Sequence, residues 1–308
     1  MKRWFPLIRG GHTLKRPRSV AFAAALLLAP GLGAHAQDGR QSVHWAYAAF
    51  FGTGRYTLDG GAETTMLSFA PGRLFRESEL SGTGERRAGY RLRVPLSIGA
   101  HELDAPESLP DLRFHSVTSL SIVPGVEIDL PISTLWSLKP LAYAGWGTDF
   151  GGDASALIFR AGLRSERRFD LDAFDLTLYN GLTRIGYSES DGASSGINLF
   201  EAGLDFGRLL PAKKMGDEPV RLYWHILYTR YFDELSLDAI GLLDEASSRL
   251  VEASSVGSEW ELGAGFGKAG SRLGIWRLKF DRVGISYRFD SDGQFSGIGI
   301  VFKSLFAR

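Results

Sequence analysis

Two histidines sit where chemistry could use them. His115 is followed directly by Ser116, and an imidazole beside a hydroxyl is the pairing acyl transfer needs, because the ring takes the proton as the oxygen attacks. His225 lies within Trp224-His-Ile-Leu-Tyr228, with no serine in reach along the segment. Asp290-Ser-Asp292 brings two carboxylates close together, but the run continues into Gly293 and reads as a hairpin turn. For both histidines a structural role is the plainer explanation. The chain has no Cys, which removes thiolate metal sites, disulfides and cysteine nucleophiles. No spacing of His or acidic residues matches a metal site, and there is no phosphate loop. The expectation is a chain without catalytic, cofactor-binding or metal-binding residues.

The charges that do fall into a pattern lie in segments of strict alternation. Phe200, Ala202, Leu204 and Phe206 share one face of a strand, with Glu201 and Asp205 on the other. Leu157, Phe159, Ala161 and Leu163 alternate with Arg160 and Arg164. Trp224, Ile226 and Tyr228 alternate with Arg221, Tyr223 and His225. Trp260, Leu262, Ala264 and Phe266 alternate with Glu259 and Glu261. Arg91 and Arg93 stand opposite Tyr90, Leu92 and Val94, and Glu127 and Asp129 opposite Val126, Ile128 and Leu130. A period of two is the signature of a strand with unlike faces.

About 12 such segments of roughly 9–12 residues are present, the length a tilted strand needs to cross a bilayer. They cover 42–52, 63–70, 86–98, 114–131, 136–147, 155–169, 174–187, 197–209, 219–232, 255–267, 276–289 and 296–306. Turn residues separate them, as in Gly151-Gly-Asp153 and Asp191-Gly192. An even strand count with both termini periplasmic makes 99–113, 188–196 and 233–254 extracellular loops. The last contains apolar residues at spacings of three and four over 237–251, which suits a short amphipathic helix, with an ordered loop as the plainer reading.

Composition and the N-terminus set the compartment. The first 19 residues hold six basic and no acidic side chains. The apolar run Val20-Ala-Phe-Ala-Ala-Ala-Leu-Leu-Leu28 follows, and Ala34-His-Ala36 closes it. A basic segment, a short apolar core and a small-x-small site make a cleaved signal peptide over 1–36, leaving 37–308 as the mature domain. Past Ala36 no apolar stretch is long enough for a spanning helix. The 308 residues carry 35 basic and 35 acidic side chains, a balance that gives no reason to expect nucleic acid as a partner. The 38 glycines and 12% aromatic residues suit a barrel with tight turns and interfacial girdles.

The fold expected is all-β: a closed, antiparallel transmembrane β-barrel of the outer membrane of a Gram-negative cell, with lipid and lipopolysaccharide around it. A soluble periplasmic β-sandwich binding protein shows the same alternation with its faces reversed and is the alternative. In a barrel, Arg91, Arg93, Glu127, Asp129, Arg160, Arg164, Glu201, Asp205, Arg221, Glu259 and Glu261 all point into the lumen. The near balance of five basic and six acidic residues favours pairing between neighbouring strands over an ion-selective pore, so at most a narrow pore is expected. An enzyme acting on lipid A or phospholipid is the other alternative. Lipid A deacylases space their His and Ser by one residue, unlike His115-Ser116, and no His/Ser/Asn set of an outer-membrane phospholipase is found.

Pro124-Gly-Val-Glu-Ile-Asp-Leu-Pro131, Trp136-Ser-Leu-Lys-Pro140 and Tyr143-Ala-Gly-Trp-Gly-Thr-Asp-Phe150 together resemble the solitary outer-membrane autotransporter-like β-barrel family. The resemblance implies an autotransporter-type translocator barrel without a passenger. No catalytic or binding residue comes with it. Ser296, Ile298, Ile300, Phe302, Ser304 and Phe306 form a last alternating face ending in an aromatic residue. The resemblance implies that the barrel-assembly machinery reads such a strand, although Ala307 and Arg308 follow the aromatic here.

Overall fold

The computed structural model describes residues 49–58, 63–81, 85–102, 117–150, 155–171, 174–190, 194–236, 255–269, 271, 273–275 and 278–302. All of them fall in the second of two compact units, Leu32–Arg308. In chain order the strands are β1 (Thr53–Leu58), β2 (Glu63–Phe69), β3 (Gly72–Arg76), β4 (Glu79–Leu80), β5 (Arg86–Arg87), β6 (Gly89–Arg93) and β7 (Leu96–Glu102). Then come β8 (Val117–Ile122), β9 (Gly125–Pro131), β10 (Trp136–Asp149), β11 (Ser155–Leu171), β12 (Phe174–Glu189) and β13 (Ser194–Met215). The last are β14 (Glu218–Ser236), β15 (Ser255–Lys268), β16 (Leu273–Ile275), β17 (Leu278–Phe280), β18 (Val283–Asp290) and β19 (Phe295–Val301).

Twelve staves close into one antiparallel barrel. Going round, they are β1, β2 continued by β3, β7 with β6, β8 with β9, β10, β11, β12, β13, β14, β15, β18 and β19. β19 pairs with β1 to complete the ring, Thr53 opposite Ile300. The end at which β13 turns into β14 is called the lower end here. The turn there is built on Gly216, whose φ of 67° suits a residue without a Cβ. The opposite, upper end joins β12 to β13.

Along each stave the faces alternate as the sequence implies. Leu157, Leu163, Leu204, Trp224, Ile226, Trp260, Leu262 and Ile298 face outward and are exposed. Their neighbours Ile158, Asp205, His225, Leu227, Glu259 and Glu261 face inward and are buried. Closure accounts for both: the ladder leaves no free edge, and the interior is too narrow to hold bulk water beside every side chain. Large inward rings need room on the neighbouring strand. A Cβ on Gly125 would meet the Tyr143 ring at 2.2 Å, and one on Gly263 would meet the His225 ring at 2.1 Å. The glycines of the inner face are therefore seats for rings, not hinges.

Three adjacent staves share a second feature. β2 gives way to β3 at Ala70-Pro71, β6 to β7 at Val94-Pro95, and β8 to β9 at Val123-Pro124. The register continues across each step: Val94 N–H donates to Pro71 O (2.9 Å), Val123 N–H to Pro95 O (2.9 Å) and Ala144 N–H to Pro124 O (3.0 Å). Each proline accepts but has no N–H to return, so one bond is missing at every step of a continuous seam.

The first predicted strand, 42–52, is corrected over 49–52, and its residues 42–48 lie outside the described residues. β1 is Thr53–Leu58, and Ala49 and Phe50 are helical. The run Ala46-Tyr-Ala-Ala-Phe-Phe51 is apolar on both faces, which suits burial on all sides and not a wall with one wet face. Ala49 and Phe51 are buried in the barrel's apolar cluster with Ile158, Tyr187, Tyr231 and Phe295. Ser97 Oγ donates to Ala49 O at 3.3 Å. The hydroxyl of Thr53 bridges to Ser68 where the chain leaves the wall, donating to its carbonyl at 2.8 Å and accepting from its N–H at 2.9 Å. Loop boundaries also shift, because β7 runs to Glu102, β13 begins at Ser194 and β14 runs to Ser236. The signal peptide over 1–36, the helix over 237–251, His115, Ser116 and Phe306 lie outside the described residues.

Candidate functional site

The interior divides into an apolar upper part and a charged remainder. Upper residues Ile158, Ile185, Ile197, Leu199 and Val256 pack with Phe51 and Tyr56. The charges are distributed in linked groups below and beside that cluster.

Glu127 is the centre of the first group. Arg93 Nε donates to its Oε2 at 2.8 Å, Tyr143 OH donates to Oε1 at 2.7 Å, and Arg164 lies 3.7 Å away. Arg91 is the Cα partner of Glu127 across the ladder, although the ion pair is made by Arg93. Asp129 Oδ2 accepts from Ser78 Oγ at 2.9 Å. Lower still, Lys139 Nζ is 2.5 Å from Glu166, which Arg168 also approaches at 3.9 Å. A cavity of about 370 Å³ opens here among Arg91, Asp129, Ser137, Lys139, Glu166 and Arg168.

A second group joins Arg160 to Glu201 at 3.7 Å, with Tyr179 OH donating to the same carboxylate at 2.7 Å. In the third, Arg288 Nε donates to Glu261 at 2.7 Å and its NH1 lies 3.9 Å from Glu259. His225 Nε2 is 3.1 Å from Glu261. Asp205 pairs with Arg282 at 2.8 Å, and Arg282 stacks 4.9 Å from the Tyr223 ring centre. Arg221 pairs with Asp175. The inner segment caps two groups: Arg160 lies 5.2 Å over the Phe50 ring and Arg288 5.1 Å over Phe51.

Among the residues singled out from alternation, several partners differ from those that strand order suggested. Arg221 meets Asp175, not Glu201 or Asp205, because Arg221 stands opposite Leu209 in the ladder. Lys139, Glu166 and Arg288 share the inward parity of residues that were picked and could have been found the same way. Arg282 sits just outside β18 and carried no periodic signal. Tyr143 and Tyr179 were not singled out, because an aromatic residue suits either face of the wall. Among the described residues no three of His, Asp and Glu converge as metal ligands would. His225 is held by a carboxylate and seated on Gly263, with no hydroxyl nucleophile bonded to it.

This is the fold of an autotransporter-type translocator barrel. The "Translocator domain of autotransporter NalP from Neisseria meningitidis" aligns with a TM-score of 0.53 at 13% identity, covering 80% of this chain and 82% of that one. The Bordetella autotransporter BrkA beta domain aligns with a TM-score of 0.49 at 15% identity over 80% of this chain and 91% of that chain. The transport unit of AIDA-I from Escherichia coli gives 0.48 at 11% identity over 81% of this chain and 87% of that chain. No protein-family model matches the sequence, and no curated protein matches it.

Proposed function

We propose that the chain is an integral outer-membrane barrel of a Gram-negative cell, whose interior is closed by paired charges and by its own inner segment. Its outward rows of Leu, Ile, Trp and Phe would meet lipid and lipopolysaccharide, and its last strand would be read by the assembly machinery. The observation that carries the reading is the linked set of interior ion pairs with Phe50 and Phe51 laid against Arg160 and Arg288. Opposite charges paired from β6 round to β18 cancel, whereas a selective path would favour one sign. The barrel then serves as a stable wall element with at most a narrow pore.

Planar-bilayer recording of the purified full chain tests it. Small or absent conductance is expected, and large steady porin-like currents with clear selectivity overturn the closed reading. The protein should migrate faster on unboiled than on boiled gels and require detergent. A soluble monomer in buffer would point to the periplasmic sandwich. Catalysis has no part in this reading: His225→Ala and His115→Ala should leave lipid A and phospholipid composition unchanged, and lost deacylated products would return the enzyme class.

A further inference from the structure

The outward wall has a defined upper border on β12 to β15. On β12 the exposed Leu178 and Leu182 give way to Arg184, and on β13 Leu204 and Phe200 give way to Asn198. On β14 Ile226 and Tyr228 give way to Arg230, and on β15 Leu262 and Trp260 give way to Ser258. Arg184 faces outward between the buried Thr183 and Ile185, and Arg230 faces outward between the buried Thr229 and Tyr231. Neither guanidinium pairs with a carboxylate among the described residues; Arg184 NH1 donates only to Asn198 Oδ1, at 3.4 Å.

Both guanidinium groups lie against glycine. Arg184 NH2 is 3.3 Å from where a Gly196 Cβ would stand, and Arg230 NH1 is 3.5 Å from the same position on Gly257. The ladder between β14 and β15 shifts register just above Arg230. The two arginines are two strands and two residues apart in register, roughly 12 Å between Cα atoms at the usual strand spacings. Leu182 and Ile226 flank them below and Phe232 above, all exposed.

From this arrangement, and resting on the outer-membrane reading, we propose that the Arg184–Arg230 stripe binds the phosphate groups of an anionic outer-leaflet lipid. An unpaired cation on a wall that faces hydrocarbon is costly unless it sits at the headgroup level, and two such cations a headgroup apart fit a lipid bearing two phosphates. The apolar residues below them would carry its acyl chains, which free phosphate does not have. Asn198 holds Arg184 in place.

The test is native mass spectrometry of the full chain in detergent, titrated with diphosphoryl lipid A, its dephosphorylated form, phosphatidylethanolamine and inorganic phosphate. The wild type should retain diphosphoryl lipid A in preference to the other three. Arg184→Gln and Arg230→Gln should each weaken that retention roughly tenfold, the factor carried by a charge-assisted hydrogen bond. Arg208→Gln, at the lower border of the same wall, should leave it unchanged. Equal retention of phosphorylated and dephosphorylated lipid, or an equal effect of Arg208→Gln, overturns the site. Heat-modifiable migration of each variant on unboiled gels is the separate check: its loss in the wild type would count against the membrane barrel itself, whereas its presence without lipid discrimination counts against this site alone.

Discussion

The barrel wall has two unlike sectors. From β11 to β15 the strands are long and unbroken, and β13 alone runs from Ser194 to Met215. From β2 to β9 the equivalent staves are each cut in two at an X-Pro step, all three steps on one level. Alternation continues through β2, β7 and β8 as it does from β11 to β15, although β3 is exposed throughout, so hydrophobic pattern alone does not set the difference. The missing proline N–H does: it removes one bond of each pair while leaving register intact, because the carbonyl still accepts. The inner segment at 49–52 joins the wall beside the interrupted sector, through the short stave β1.

Interior pairs should show the largest effect in either sector. Glu127→Ala with Asp129→Ala strips the partners of Arg93, Arg164, Tyr143 and Ser78. Leaving buried cations unpaired costs about 3–5 kcal/mol, read as a lower midpoint in urea-driven unfolding in detergent. Conductance should rise as the plug loosens. Unchanged stability with a shift towards anion selectivity would mean that the row is a pore lining.

A membrane-face charge comes next. Leu204→Arg, in the middle of the unbroken sector's outer band, should cost about 2–4 kcal/mol and reduce the folded, fast-migrating species. Arg160→Ala, on the inner face, should not impair assembly in that way. Equal assembly of Leu204→Arg and wild type would show that this wall does not meet hydrocarbon.

The smallest effect sharpens the contrast itself. Pro95→Val supplies an N–H opposite Val123, where only one bond of the pair is made. A gain of about 0.5–1.5 kcal/mol is expected from the added bond, less the unfolded-state entropy that proline had removed. Hydrogen exchange at Val94 and Val123 should slow towards the rates of β12 and β13. If exchange is already as slow in the wild type, the two sectors are mechanically alike and the seam is only a local irregularity.

Much of this molecule was legible in the sequence. A period of two, charges confined to one parity and lengths near a bilayer crossing determine an antiparallel wall with unlike faces, because successive side chains must point to opposite sides. That Arg160, Glu201 and Glu261 share the charged parity follows from that alone; that this face is the interior was decided by closure of the barrel, because a sandwich carries the same alternation with its faces reversed. What parity leaves open is which inward charge meets which, since that depends on register between strands and on side-chain reach across the lumen. Arg221 with Asp175 and Asp205 with Arg282 were decided there. So was the fate of Ala49 to Phe51: a run apolar on both faces asks for burial on all sides, and only closure of the barrel decides that the interior supplies it.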